Sequence, residues 1–139
     1  HLVADVRAEL ADGLDTVDAL AALFPGGSIT GAPKLRSMEV IAELEDAGRG
    51  YFTGSLGFLD VRGSAAFNIL IRTLIWRPRP DLGERAGEVS FHVGGGITWS
   101  SDPTAEELET RVKGAALAAS LCALGSDADT LGVDLMHPK

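Results

Sequence analysis

The sequence predicts an α+β fold in which helices flank mainly antiparallel strands, because helical and strand-like patterns occupy separate parts of the chain. Apolar residues recur at helical spacing over residues 2–23, interrupted at Gly13, which predicts one broken helix or two short ones. Two stretches rich in aromatic and β-branched residues, 51–61 and 67–76, flank the turn-like Arg62-Gly63-Ser64. These two stretches are expected to form an antiparallel pair.

Segments rich in glycine and proline separate these elements from the others. Residues 24–33 are expected to form a loop, and Pro33 suits the first turn of a helix that ends near Gly48. The polar stretch 77–87 predicts an exposed hairpin loop before a further strand at 88–93.

The last predicted element is a helix that begins at Pro103, with Asp102 as its cap, and continues to about Leu124. At ~100° per residue it carries an apolar stripe nearly opposite a charged one. The apolar stripe consists of Leu108, Val112, Ala115, Ala119 and Cys122, and the charged stripe of Glu106, Glu109 and Lys113. Residues 125–139 show no periodicity and are expected to form a C-terminal tail.

Length and charge restrict the classes of protein to which the chain can belong. Its 139 residues suffice for one ordinary domain, and its hydrophobic content of 45% is that of a globular protein. The 20 acidic and 12 basic residues give a net charge of -8, which excludes a general attraction to nucleic acids or anionic membranes. A single cysteine, no long apolar run and no signal-peptide pattern predict a soluble, cytoplasmic protein.

Lys34 and Arg36 lie in the first turn of the predicted helix after the loop 24–33, where the helix dipole disfavours cations. Two interpretations are open. The residues form an ordinary solvated surface, or they form an anion site in which backbone N–H groups and both cations face one ligand. The second interpretation makes Lys34 a candidate substrate-binding residue. A P-loop is excluded, because the Gly-Lys-Ser/Thr sequence is absent.

The charged stripe of the last helix also has two interpretations. Glu109 and Lys113 stand at i, i+4 spacing and can form an ordinary surface ion pair. Alternatively, Glu106 and Glu109 bind Mg²⁺, and Lys113 neutralises a further anionic oxygen. One helix supplies few metal ligands, so the second interpretation requires a carboxylate from elsewhere.

Gly94-Gly95-Gly96 follows a predicted strand and precedes the last helix. Consecutive glycines let backbone amides approach a ligand closely, although such a triplet is also typical of a flexible turn. Arg72 is a polar exception on a predicted strand, where it forms either a structural ion pair or an anion contact. Together with Lys34 and Lys113, these groups are the anion-binding candidates of an acidic chain.

Several motifs occur in order along the chain. They are Phe-Pro-Gly-Gly-Ser-Ile-Thr-Gly-Ala-Pro-Lys at 24–34, Ile71-Arg72-Thr73, Gly94-Gly95-Gly96-Ile97, and Ser101-Asp102-Pro103 followed by Glu106, Glu109, Thr110 and Lys113. This order resembles the C-terminal part of the chorismate-utilising enzymes. Within that family, the Gly-Gly-Ser-Ile-Thr sequence is most similar to the aminodeoxychorismate (para-aminobenzoate) synthases, with the anthranilate synthases next.

The resemblance implies a metal and a carboxylate site near the last helix. Glu109 would bind Mg²⁺, with Glu106 beside it. Lys113 and the backbone amides of Gly95 and Gly96 would hold the ring carboxylate of chorismate.

The resemblance also implies further contacts in other parts of the chain. Arg72 would bind the enolpyruvyl carboxylate, with Phe52 alongside, where relatives often have Tyr or Trp. His1 matches an active-site histidine and Ser28 matches a hydroxyl residue that lines the pocket, so these two are the implied catalytic residues. Ala66 stands where many relatives carry an acidic residue, which removes a hydrogen-bonding group from the strand pair.

The resemblance implies that residues 1–124 are the C-terminal part of a chorismate-binding catalytic domain, contributing some strands to a two-sheet α/β/β/α sandwich. The first residue is His1 instead of an initiator Met, and the chain is therefore expected to be a truncated part of a larger enzyme. In the family, the general acid and a second metal-binding glutamate precede the position of His1. The chain alone is therefore expected to be inactive without this missing N-terminal part.

The implied reaction converts chorismate and ammonia to 4-amino-4-deoxychorismate, for para-aminobenzoate and folate synthesis. It uses Mg²⁺, and a glutamine amidotransferase subunit or domain supplies the ammonia. Two alternatives are component I of anthranilate synthase, in tryptophan synthesis, and a non-catalytic binding module with the same fold.

Overall fold

The computed structural model describes residues 3–83 and 86–124, and the chain divides into unit 1, His1–Leu70, and unit 2, Ile71–Lys139. The elements, in chain order, are α1 (Thr16–Leu23), α2 (Gly27–Thr30), α3 (Lys34–Leu44), β1 (Ser55–Leu59), β2 (Ala65–Ile69), β3 (Ile75–Pro78), a short 3₁₀ helix (Pro80–Leu82), β4 (Gly87–Ser90) and α4 (Pro103–Leu124). The strands form antiparallel pairs, β1 with β2 and β3 with β4. Helices with small antiparallel sheets confirm the predicted α+β class.

The first strand pair closes around the turn that the sequence predicts. Leu59 pairs with Ala65, and the Ser64 carbonyl accepts a hydrogen bond from the Asp60 N–H at 2.7 Å. Gly63 has a φ of 89°, a conformation that favours glycine. Both strands are shorter than predicted, because regular pairing starts only at Ser55.

The prediction of helices over residues 2–23 is correct only for its second half. Residues 3–11 form no helix, and α1 begins after Asp15, whose carboxylate accepts hydrogen bonds from the Val17 and Asp18 N–H groups at 2.8 and 3.1 Å. Helix formation pays a nucleation cost that packing usually offsets, and Val6, 93% exposed, has no such packing.

The loop before α3 is more regular than predicted. Residues 27–30 form α2, and Gly31 follows with a φ of 105°, close to Ser37 of α3. Pro33 precedes the first turn of α3 as its N-cap residue and does not lie within it. The helix also ends earlier than predicted, at Leu44.

The predicted strand over residues 67–76 is wrong as a continuous element. β2 ends at Ile69 and β3 begins at Ile75, and between them Arg72 has a φ of 51°. A left-handed residue cannot continue an extended strand, so Arg72 lies in a bend. The predicted hairpin loop follows β3. Pro78 at the end of β3 pairs with Gly87 at the start of β4.

Apolar side chains remain exposed in both units. Among residues 3–83 and 86–123, no hydrophobic residue is buried. On α4, Leu108 and Val112 of the apolar stripe are each 62% exposed, whereas Gly114 is buried and would place a Cβ 3.6 Å from Val93. Glu106 and Lys113 of the charged stripe are half-buried and are therefore less exposed than Leu108 and Val112.

None of the helices in the described part of the chain combines the length and the apolarity that crossing a membrane requires.

Candidate functional site

The strongest candidate site lies in unit 2, where the glycine triplet 94–96 meets α4. The Lys113 Nζ donates a hydrogen bond to the Gly94 carbonyl at 3.1 Å. Gly114, one residue further, is buried, and a Cβ on it would lie 3.6 Å from Val93, in ordinary van der Waals contact. The structure thus brings together the triplet and the lysine that the sequence selects separately.

Lys113 also forms an ion pair with Glu109, at 2.6 Å between Nζ and Oε1. The Lys113 side chain is 29% exposed and that of Glu109 is 57% exposed. The hydrogen bond from Lys113, followed by its positive charge, lowers the pKa of Glu109 below 4.5. An ammonium group has three N–H donors, so Lys113 keeps one for an anionic ligand after serving Gly94 and Glu109.

Glu106 is half-buried between the start of α4 and the glycine triplet. Its Oε1 accepts a hydrogen bond from the Ser101 hydroxyl at 2.6 Å. Its Oε2 lies so close to Gly95 that a Cβ on that glycine would be 2.8 Å away. Lys113 and Glu106 of α4 therefore both lie against the backbone of Gly94 and Gly95.

The turn before α4 holds this arrangement in place. The Thr98 N–H donates to the Ser101 Oγ at 3.0 Å, and the Asp102 carboxylate caps the helix by accepting from the Ala105 N–H at 2.9 Å. The predicted Asp102 cap is confirmed. Ser101 is a contact of the site that the sequence reasoning did not assign a role, although it stands next to that cap.

The donor set of this site suits a hard cation in part. Glu106 and Glu109 present carboxylate oxygens from the same helix, three residues apart. Mg²⁺ is typically held by one or two carboxylates, with water and substrate oxygens completing its shell. The described residues contain no cluster of three or more His, Cys, Asp or Glu that could hold a metal ion, so any further ligands must come from elsewhere.

In unit 1, the two cations at the start of α3 differ in their contacts. Arg36 pairs with Glu39 at 2.9 Å and with Glu43 at 3.6 Å, and all three side chains are exposed. This is the ordinary surface interpretation. Lys34 is half-buried, and its side chain forms no hydrogen bond or ion pair with the described residues.

Phe52 lines an open groove of about 470 Å³ in unit 1, together with apolar side chains of the loop 24–30 and α3. The Arg49 guanidinium lies 5.8 Å from the centre of the Phe52 ring and pairs with Glu45 at 2.6 Å. The hydrogen bonds that the Arg49 guanidinium donates to the Glu45 carboxylate raise the pKa of Arg49. Ser28 is exposed on α2 and does not line this groove.

Arg72, Ala66 and His1 are the remaining positions that the sequence selects. Arg72 is exposed and makes no hydrogen bond or ion pair within residues 3–83 and 86–124. Ala66 pairs with Phe58 in the first sheet. The predicted role of His1 falls on a residue outside the described ranges.

The family model described as chorismate binding enzyme matches residues 1–119, a range that includes the glycine triplet and most of α4. The chain belongs to this family. It is 48% identical over 84% of its length to the anthranilate synthase component 1 1 of Haloarcula marismortui, covering 22% of that protein. It is 41% identical over 87% of its length to the aminodeoxychorismate synthase component 1 of Bacillus subtilis, covering 24% of that protein. A third relative is the anthranilate synthase component 1 of Streptomyces coelicolor, with 44% identity over 84% of this chain and 21% of the relative.

These relatives agree on the family and differ in the product that their names state. The chain spans between a fifth and a quarter of the length of the curated relatives that it matches.

Proposed function

We propose that this chain contributes part of the active site of an enzyme that aminates chorismate. The observation that carries the proposal is the position of Lys113, which contacts both the Gly94 carbonyl and the Glu109 carboxylate. A free N–H donor beside glycine backbone suits a carboxylate that must lie close to the chain. In this proposal, Lys113 and the amides of Gly95 and Gly96 hold the ring carboxylate of chorismate.

Glu109 and Glu106 would hold Mg²⁺ on the same side of α4. When bound, the ion supplies positive charge to the ring carboxylate and to the hydroxyl group that leaves. The chain's own contribution is to keep both carboxylates on one helical face, next to the lysine that binds the same substrate group.

The second carboxylate of chorismate needs a further cation, and Arg72 has no described partner that would compete for it. We therefore assign Arg72 to the enolpyruvyl carboxylate, Phe52 to an apolar contact with the substrate, and Lys34 to a supporting anionic contact. Ser28 and His1 are assigned to the catalytic step. Ammonia would come from a glutamine amidotransferase, and the reaction would take place in the cytoplasm.

Two products are candidates for the proposed reaction. The sequence Gly-Gly-Ser-Ile-Thr at 26–30 favours 4-amino-4-deoxychorismate, and thus para-aminobenzoate synthesis. A second candidate is anthranilate, which the 48% identity to a relative named anthranilate synthase supports. The two enzymes share the binding of chorismate, so the motifs of unit 2 fit either one.

The decisive experiment uses the full-length protein that carries this chain, with chorismate, ammonium and Mg²⁺, and identifies the product by chromatography and mass spectrometry. Formation of aminodeoxychorismate supports the first candidate, and anthranilate supports the second. The variant Glu109→Ala should lower the affinity for Mg²⁺ at least about 100-fold, since changes around metal ligands alone cost about 10–100-fold.

Glu107→Ala is the matched control, because Glu107 is exposed on the same helix and pairs with Arg111 at 2.6 Å. It should bind Mg²⁺ and chorismate like the wild type. Chorismate binding that does not depend on Mg²⁺ and leads to no product would instead identify a non-catalytic binding module. Turnover by the 139-residue chain alone would contradict the proposal that it holds only part of the site.

A further inference from the structure

We infer that Ser101 is a positioning residue, whose hydroxyl holds the Glu106 carboxylate against Gly95 in the orientation that a divalent cation needs. This inference rests on the proposed function, because it assigns the cation to the same site. The contact that defines it is the hydrogen bond from the Ser101 Oγ to the Glu106 Oε1, 2.6 Å long.

The serine hydroxyl is itself anchored. Its oxygen accepts a hydrogen bond from the Thr98 N–H at 3.0 Å, and the Ser101 N–H donates to the Thr98 carbonyl at 3.1 Å. With its oxygen accepting from the backbone, the hydroxyl can direct its proton to Glu106. The orientation of the carboxylate is thus tied to the backbone of the turn before α4.

The other carboxylate oxygen lies close to the backbone of Gly95. A Cβ on Gly95 would lie 2.8 Å from the Glu106 Oε2, which is closer than a real side chain permits. Glu106 therefore has a hydrogen-bond donor on one oxygen and glycine backbone against the other. A glutamate on an exposed helix face would instead exchange between rotamers.

The chemistry of the donor decides what this arrangement is suited to bind. Glu109 pairs with the cation of Lys113, whereas the described partner of Glu106 is a neutral hydroxyl. A neutral donor orients a carboxylate without cancelling its charge. Glu106 consequently keeps its negative charge available for a hard divalent cation.

The test compares variants of the full-length protein by titrating Mg²⁺ in the presence of chorismate, with binding followed by isothermal titration calorimetry. Ser101→Ala should weaken the apparent affinity for Mg²⁺ by roughly 10–100-fold, the range found when groups that orient metal ligands are removed. Ser101→Thr keeps the hydroxyl and should restore most of the affinity. Ser100→Ala, at the exposed neighbouring serine, should match the wild type.

Gly95→Ala provides a second route to the same result, because it leaves Ser101 in place and displaces Glu106. It should weaken Mg²⁺ binding like Ser101→Ala, and if Ser101→Ala does not fold, an unchanged Mg²⁺ affinity in Gly95→Ala overturns the inference. Thermal melting of each variant separates loss of folding from loss of binding.

An Mg²⁺ affinity of the folded Ser101→Ala variant equal to that of the wild type overturns the inference and leaves the proposed function intact. An equal loss in Ser100→Ala also overturns it. A wild-type protein that binds no chorismate with Mg²⁺ overturns the proposed function, and the inference with it.

Discussion

Unit 2 joins its candidate ligand groups through Lys113, which contacts both Gly94 and Glu109, whereas unit 1 leaves Lys34 without a described partner. The groups of unit 2 come from the glycine triplet 94–96 and from α4. In unit 1, Phe52 lines a groove that Ser28 does not. Local packing thus brings together the candidate residues of unit 2, whereas Ser28, Lys34 and Phe52 of unit 1 are not joined by contacts with one another.

The largest effect is expected from removing the contacts of Lys113 with Gly94 and Glu109 in unit 2. Lys113→Met removes both polar contacts and the donor proposed for the substrate carboxylate. Since a hydrogen bond to a charged group contributes about 1.5–3 kcal/mol, the affinity of the full-length protein for chorismate should fall about 10–100-fold. Isothermal titration calorimetry measures this affinity.

Arg111→Met is the control for this prediction. Arg111 lies on the same helix, is exposed and pairs with Glu107. It should leave chorismate affinity unchanged, and an equal loss in both variants would show that general charge, not the Lys113 contacts, sets the affinity.

The next effect concerns the loop geometry of unit 1. Gly31 has a φ of 105°, and a Cβ there would lie 2.7 Å from the Ser37 Oγ. Gly31→Ala should therefore lower the free energy of unfolding by about 1–3 kcal/mol. Gly27→Ala, where a Cβ meets no atom within 4 Å, should cost less. Denaturant unfolding compares the two, and equal losses would contradict the strain at Gly31.

A smaller effect separates binding from stability at Lys34. Because the Lys34 side chain forms no hydrogen bond or ion pair with the described residues, Lys34→Met should leave the melting temperature unchanged. It should weaken chorismate binding by roughly tenfold, the value of one contact to a charged group. Arg36→Met should change binding less, because Arg36 already pairs with Glu39. A fall in melting temperature for Lys34→Met would mean that Lys34 is structural.

The smallest effect is confined to acid pH. Hydrogen bonds from Arg62 lower the pKa of Asp60 below 3.8. The ionised pair therefore stabilises the fold above the pKa of Asp60 in the unfolded chain, and the contribution is lost as the pH falls through the lower folded value. Thermal melts of Arg62→Ala against wild type should differ at neutral pH and converge in acid. A difference in melting temperature that stays the same at every pH would contradict a stabilising ion pair between Asp60 and Arg62.

The sequence predicted those features that depend on neighbouring residues. The Asp102 cap, α4 and the turn at 62–64 follow from local preferences, and the structure confirms them. The Arg36–Glu39 pair stands at i, i+3 spacing, which is typical of surface pairs.

Features that depend on distant contacts escaped the sequence reasoning. The left-handed conformation of Arg72 is rare for a residue other than glycine. Because the neighbouring residues are typical of a strand, the sequence predicted that Arg72 would be extended as well. The helix predicted before Gly13 needed packing that the described residues do not supply. The hydrogen bond between Ser101 and Glu106 depends on the turn at 98–101, which hydrophobic periodicity does not reveal.

The exposed apolar stripe of α4 also governs how isolated copies of this chain behave toward one another. The exposed apolar side chains of Leu108 and Val112 favour association, whereas the net charge of -8 makes the copies repel one another. Salt shortens the range of that repulsion to about 10 Å at 0.1 M and leaves the apolar attraction in place. Self-association of the separate chain should therefore increase with ionic strength, the opposite of what an electrostatically held complex would do.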